Sequence, residues 1–201
     1  MEKMTHKIND NYNWFCEYFR MFRDNAPAAM VEWGGYQQGL PTGMASSLES
    51  MIAFANKVND ENATILNAGA GASSWVLRKL FKNVICTDPD VEYLNVVKNI
   101  CVSGGISGEN FIAGLENVPV CDYTYYDYGN SVRMPCLSLG IDKTKILAYV
   151  DDTDDRECCK SERAFVYNFA KTNDFHIADC LDAKDEYGRW GVFIFKESRY
   201  Q

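Results

Sequence analysis

ATILNAGAGASSWVLRKLFKNVICTDPD, residues 63–90, decides the reading of the chain. An apolar run (Ile65, Leu66) leads into a turn of small residues, Asn67-Ala68-Gly69-Ala70-Gly71. A short amphipathic segment follows, then a second apolar run (Val84, Ile85, Cys86) that ends on Asp88. This order predicts strand, glycine turn, helix, strand and acid, which is half of a nucleotide-binding βαβ unit. Gly69 and Gly71 permit a sharp turn and leave room for a ligand where side chains would collide. Ser73 or Ser74 is placed to cap the helix, whose free N–H groups favour a negatively charged ligand group. Asp88, about 20 residues past the glycines, stands where a carboxylate accepts hydrogen bonds from ribose hydroxyls.

The chain of 201 residues fits one domain with a substantial core. Its apolar content of 47% and charged content of 24% are those of a soluble globular protein. Twenty Lys and Arg against 28 Asp and Glu give a net charge of −8, without a basic run. That balance argues against a nucleic-acid or anionic-membrane partner. No apolar segment approaches the roughly 20 residues that span a bilayer. The N-terminus, MEKMTHKINDNY, lacks the apolar region of a secretory signal. The 8 cysteines show no CxxC spacing and sit mostly in apolar runs, so they are expected to be reduced core residues of a cytoplasmic protein.

Upstream of the glycine turn, residues 10–23 place Trp14, Phe15, Tyr18, Phe19 and Phe22 on one helical face. A glycine-rich loop, 31–47, carries Trp33 and Tyr36. A second helix puts Leu48, Met51, Ile52, Ala55 and Val58 inward. Downstream, Pro89 and Asp90 start a helix over about 91–101, and Phe111–Ala113 is a short third strand. VCDYTYYD (120–127) predicts a fourth strand, and KILAYV (145–150) a fifth that runs into DDTDD. The stretch 131–144 is poorly patterned, with room for a short helix, and 155–171 is helical. FHIADCL and WGVFIFK, joined by DAKDEYGR, predict an antiparallel hairpin. The expected fold is therefore α/β, a mostly parallel seven-stranded sheet in three layers with the last strand reversed.

Five strand–helix units closed by a hairpin resemble the class I S-adenosylmethionine-dependent methyltransferases, a Rossmann-like fold. The resemblance covers about residues 60–197 and is nearest in layout to the small-molecule O-methyltransferases. It implies a helical N-terminal cap over 1–60 and an S-adenosylmethionine-binding domain over 61–201. It implies cofactor contacts from Asn67, Ala68, Gly69, Ala70, Gly71, Ser73, Asp88 and Pro89. Two positions depart from the family pattern. Asn67 replaces the acid at the head of the motif, and Gly114-Leu115 stands where many members carry an acid near the adenine. An asparagine still offers a carbonyl oxygen to a ligand amino group.

A second constellation, Asp127 with Asp151 and Asp152, follows predicted parallel strands at the carboxyl edge of the sheet, where open α/β folds bind ligands. The layout is similar to the catechol O-methyltransferase type, in which an acid after the fourth strand and an acid-plus-amide pair after the fifth hold a divalent cation. The similarity implies Mg²⁺ on Asp127, Asp151 and Asp152, consistent with a set of oxygen ligands. The alternative reading is that the acids cap the helix that follows. Those enzymes also carry a lysine base three residues after the fourth-strand acid, and here that position is Asn130.

His176, at the start of the sixth strand, and His6, in the N-terminal tail, are expected to be structural or solvated. Lys184, Asp185, Glu186 and Tyr187 share the ligand edge with the sheet. The implied activity is methyl transfer to a small-molecule oxygen or nitrogen acceptor, with the acceptor and the oligomeric state left open. DNA-adenine transfer is disfavoured, because Asp127-Tyr128-Gly129-Asn130 lacks the Asn/Asp-Pro-Pro-aromatic motif that grips a flipped base. Two other classes remain open. A nicotinamide-dependent oxidoreductase is suggested by Gly69-x-Gly71-x-x-Ser74, one residue from the dinucleotide fingerprint. A non-catalytic S-adenosylmethionine-binding protein would keep the fold without the chemistry.

Overall fold

A computed structural model describes residues 8–27 and 47–196. His6, Trp33 and Tyr36 lie outside the described residues. Seven strands form one sheet: β1 (Thr64–Ala68), β2 (Asn83–Asp88), β3 (Phe111–Ala113), β4 (Cys121–Tyr126), β5 (Thr144–Val150), β6 (His176–Asp179) and β7 (Val192–Phe195). Their order across the sheet is β3-β2-β1-β4-β5-β7-β6. β1 to β5 run parallel, and β7 is antiparallel to both β5 and β6. The chain leaves β1 toward β2 on one side and returns to it with β4 on the other. Between β1 and β4 lies the switch point at which open α/β sheets leave a crevice.

Side-chain alternation along the strands sorts the core into two layers. Ile65, Tyr123, Tyr125, Leu147 and Tyr149 face helices α1 (Ile8–Asn25), α2 (Leu48–Val58), α3 (Ala72–Leu80) and α4 (Val91–Ser103). Leu66, Ala68, Tyr126, Ala148 and Val150 face α5 (Asn130–Asp142) and α6 (Lys160–Thr172). The aromatic stripe of α1 is buried at Phe15, Tyr18, Phe19 and Phe22, so α1 is part of the same core as the sheet. Trp14 is half-buried and receives Lys79 at 5.4 Å from its ring.

Helix ends follow from local chemistry. Ser47 caps α2 by accepting from Ser50 N–H, and Asp90 caps α4 by accepting from Tyr93 N–H at 3.0 Å. The start of α3 differs from expectation, since neither serine is its cap residue. Gly71 takes that position, and Ser74 reaches back so that its Oγ accepts from Gly71 N–H at 3.3 Å. Ser73 Oγ donates instead to Gly69 O at 3.2 Å. The expected hairpin is present as β6 and β7, and the weakly patterned stretch is a full helix, α5, with Pro135 inside it.

Candidate functional site

Gly69 ties the ends of β1 and β4 together. Its φ is +108°, and a Cβ there would lie 2.1 Å from the carbonyl oxygen of Asp127. Only glycine allows that approach. Around it the turn is laced to β2: Gly69 N–H donates to Thr87 O at 2.9 Å, and Ala70 N–H to Asp88 Oδ2 at 3.1 Å. Gly71 is different. A Cβ there would meet only the Tyr93 hydroxyl, at 3.4 Å, so the space beside the turn is open.

Asn67 is fully buried on the α3 face of β1. Its Nδ2 donates to Ser74 Oγ at 2.9 Å, while its Oδ1 has no hydrogen-bond partner among the described residues. A buried carbonyl oxygen left in this way is an exception in folded proteins and marks a place for a donor. Asp88 Oδ1 accepts from Asp90 N–H at 2.9 Å, and the exposed Pro89 bridges the two. Burial raises the Asp88 carboxyl to about 6, against the pull of the Asp90 and Ala70 N–H groups. Asn67, Ala68, Gly69, Ala70, Gly71, Ser73 and Asp88 therefore stand together at the carboxyl ends of β1 and β2.

Tyr128, just past β4, is buried with its ring 5.3 Å from that of Tyr126. Its hydroxyl lies near that of Thr87 without a well-aligned hydrogen bond, and burial pushes the phenol well above its usual range. Sequence reading assigned Tyr128 no place in the site. Leu115, where the family pattern has an acid, is buried in the α5 layer.

The acidic constellation corrects the metal expectation. Asp127, Asp151 and Asp152 do follow β4 and β5 at the carboxyl edge, but their carboxylates do not converge on a common point. Arg133, from α5, has a side chain only 4% exposed and stands among them. Its Nη2 donates to Asp127 Oδ1 at 2.9 Å and to Asp152 Oδ2 at 3.4 Å. Nε donates to Tyr128 O at 2.7 Å, and Nη1 to Asp151 O at 3.4 Å. Burial opposes the charge on Arg133, and Asp127, Asp152 and Asp151 outweigh it.

The Asp151 carboxylate turns to the other face of the sheet. It accepts from Ser50 Oγ at 3.1 Å, Tyr149 O–H at 3.2 Å and Tyr125 O–H at 3.4 Å. Burial and then neighbouring Asp152 raise it to about 6, while Arg133, Arg189 and Ser50 act the other way. No group of three metal-capable His, Cys, Asp or Glu side chains occurs among the described residues. Mg²⁺ does not fit, because a fixed guanidinium already neutralises two of its three expected ligands.

Capping does not describe these acids either. α6 begins at Lys160, after a 3₁₀ turn over Glu157–Cys159, and no side chain caps it. Asp154 is buried on Arg156, with Nε–Oδ1 and Nη2–Oδ2 both 2.7 Å. Asp127, Asp152 and Asp154 are held by arginines, and Arg133 was the signal that the sequence reading passed over. An arginine in the second turn of the helix after β4 reaches back to the carboxyl edge.

The loop between β6 and β7 is mostly self-supporting. Asp185 accepts from Arg189 Nε at 2.6 Å and from Tyr187 and Arg189 N–H, which folds the loop on itself. Lys184 lies 5.2 Å over the Trp190 ring, and Glu186 and Tyr187 are exposed. His176 is exposed at the start of β6, with its ring 5.4 Å from Phe195. A Tyr-x-x-x-Lys spacing, the kind of catalytic pair some oxidoreductases use, exists at Tyr167 and Lys171. Tyr167 O–H donates to Asp179 Oδ1 at 2.9 Å, on β6, four strands from the glycine turn.

No family model matches the chain, and no curated protein matches it in sequence. Solved structures match in shape. The O-methyltransferase of Bacillus cereus in complex with SAH superposes with a TM-score of 0.58, over 94% of this chain and 100% of that one. The fold is that of the class I S-adenosylmethionine-dependent methyltransferases. The SAH-bound methyltransferase PaMTH1 of Podospora anserina gives 0.58 over 98% and 99%. The precorrin-6y C5,15-methyltransferase of Geobacter metallireducens gives 0.57 over 77% and 92%. All three are 11% identical to this chain, so what they share with it is the methyltransferase fold. No helix among the described residues is long and apolar enough to cross a membrane.

Proposed function

We propose that this chain transfers the methyl group of S-adenosylmethionine to a small-molecule oxygen or nitrogen acceptor in the cytoplasm. The observation that carries the reading is the glycine turn at the switch point, with Asn67 Oδ1, which has no partner among the described residues, on one side and the Asp88 carboxylate on the other. When bound, the cofactor supplies an activated methyl on a sulfonium sulfur, and holding the acceptor in line with it provides much of the rate. Asn67 Oδ1 would accept from the cofactor's amino group. Ala68, Gly69, Ala70, Gly71 and Ser73 would line its path, and Asp88, beside Pro89, would take the ribose hydroxyls. Each Asp88 oxygen makes one hydrogen bond to the backbone, which leaves further acceptor capacity on both.

The reversed β7 between β5 and β6 supports this reading over a nicotinamide-dependent one, whose double-wound sheet runs 3-2-1-4-5-6 in parallel. Thermal unfolding with S-adenosylhomocysteine (SAH) or NADH separates the two. SAH at a hundred times its dissociation constant should add about 2.7 kcal/mol, which is a rise of roughly 5–11 °C for a domain of this size. Stabilisation by NADH and not by SAH overturns the proposal. Transfer of labelled methyl to an acceptor panel then distinguishes an enzyme from a silent binder.

A further inference from the structure

Four oxygens converge on the Arg133 guanidinium: Asp127 Oδ1, Asp152 Oδ2, and the main-chain carbonyls of Tyr128 and Asp151. Two carboxylates and two carbonyls form the donor set of a hard divalent cation. Here they meet a planar organic one, with Nε, Nη1 and Nη2 all engaged. Asp152 is held from a second side, since Arg156 Nη2 lies 3.5 Å from its Oδ1. Its backbone is also committed, at φ +50°, a conformation that L residues adopt rarely and that persists where the surroundings enforce it. Arg133 is anchored from behind as well, because Tyr126 O–H donates to its carbonyl at 2.6 Å.

We propose that Arg133 is the resident cation of this site: its guanidinium fills the cage that a divalent ion would otherwise take, and it positions Asp127 and Asp152 without a metal. The consequence for the acceptor rests on the methyltransferase reading. Arg133 is buried and four of its five N–H donors go to protein oxygens, so it does not chelate a pair of acceptor hydroxyls as a metal ion would. The acceptor class is then a nucleophile competent by itself, an amine or an acidic hydroxyl, rather than a diol that must be held on an ion.

The test uses the full chain with Mn²⁺ as probe. Wild type should show no protein-bound Mn²⁺ by electron paramagnetic resonance, and its melting temperature should be the same in Mg²⁺ and in EDTA. Its stabilisation by SAH should likewise be equal in both. Arg133→Ala empties the cage and should gain a Mn²⁺ signal together with a Mg²⁺-dependent rise in melting temperature, both lost again in Arg133→Ala with Asp152→Asn. Arg133→Lys, which keeps the charge, should gain neither. A purely structural arginine would lower stability without creating the Mn²⁺ signal. The proposal is overturned if wild type binds Mn²⁺ in a way that Asp152→Asn abolishes, or if a folded Arg133→Ala gains no Mn²⁺. Should Arg133→Ala fail to fold, the wild-type measurements decide. SAH that stabilises in neither buffer overturns the methyltransferase reading and with it the acceptor class, and leaves the Mn²⁺ arms to judge the cation.

Discussion

Gly69→Ala adds one carbon at the closest approach of two strands. The native φ of +108° is closed to alanine, and the new Cβ would stand 2.1 Å from the Asp127 carbonyl oxygen, well inside contact distance. Relief requires β1 and β4 to part at their carboxyl ends. That motion strains or breaks Asp127 N–H to Ala68 O (2.7 Å) and Gly69 N–H to Thr87 O (2.9 Å). Backbone strain of about 1–3 kcal/mol and two hydrogen bonds of roughly 1 kcal/mol each sum to about 4 kcal/mol. For a domain of this size that is a fall in melting temperature of roughly 8–16 °C. Gly71→Ala, two residues on, is the control. Its backbone is extended and its Cβ would meet only the Tyr93 hydroxyl at 3.4 Å, so the loss of stability should stay below about 1 kcal/mol. The same Cβ would point into the space proposed for the cofactor, and SAH affinity should fall at least tenfold, about 1.4 kcal/mol. Differential scanning calorimetry and SAH titration read both variants. An unchanged melting temperature for Gly69→Ala, or unchanged SAH affinity for Gly71→Ala, would refute the corresponding half of the reasoning.

Three further outcomes are expected. Asp88 and Asp151 titrate near 6 when folded and near 3.9 unfolded, so the folded chain holds their protons more tightly. The stability they contribute is full below about pH 4 and lost as pH rises through about 6, while SAH affinity should increase over that rise because ribose hydroxyls need the ionised Asp88. Urea midpoints against pH should flatten in Asp88→Asn with Asp151→Asn, and an unchanged slope would count against the burial argument. Ser50→Ala removes the hydroxyl shared by Tyr149 and Asp151, one of three hydroxyl donors to a buried carboxylate, and should cost about 1–3 kcal/mol in urea unfolding. Tyr126→Phe deletes the bond to the Arg133 carbonyl and should cost about 0.5–1.5 kcal/mol, with no loss of SAH affinity.

The layout of the sheet was legible where pattern and chemistry agreed. Within residues 63–90, Gly69 falls where backbone must pass close to backbone, and the apolar runs of β1 and β2 fall where the strands are covered on both faces. The terminal hairpin announced itself through its short polar connection. α5 did not, for a physical reason. Its inward positions are Arg133, Leu137, Gly140 and Ile141, at helical spacing, but two of the four are not apolar. Arg133 is neutralised at the sheet edge, and Gly140 is small because the Tyr126 ring packs against it, so that a Cβ would lie 2.6 Å away.

The glycine turn could be found because each of its residues answers to a local requirement. The acidic cluster could not, because its meaning depends on what faces it across the fold. Asp127 and Asp152 look alike in sequence whether they meet a metal or a guanidinium. Only the docking of α5 against the ends of β4 and β5 decides between them. Asp151 is a similar case. Strand alternation carries it to the face of α2, where Ser50 waits about a hundred residues earlier in the chain.

The place of β7 has a consequence for how the molecule is made. β7 sits between β5 and β6 although it follows both in the chain. During synthesis, the strands on either side of that gap exist before the strand that fills it. Until Val192–Phe195 emerges, β5 presents a bare hydrogen-bonding edge, the kind of surface that pairs with other nascent chains. β6 pairs with β7 alone, so it has no place in the sheet until β7 is in position. A chain that ends in the polar loop before β7 therefore keeps a five-stranded parallel sheet whose β5 edge stays open to pairing with other chains.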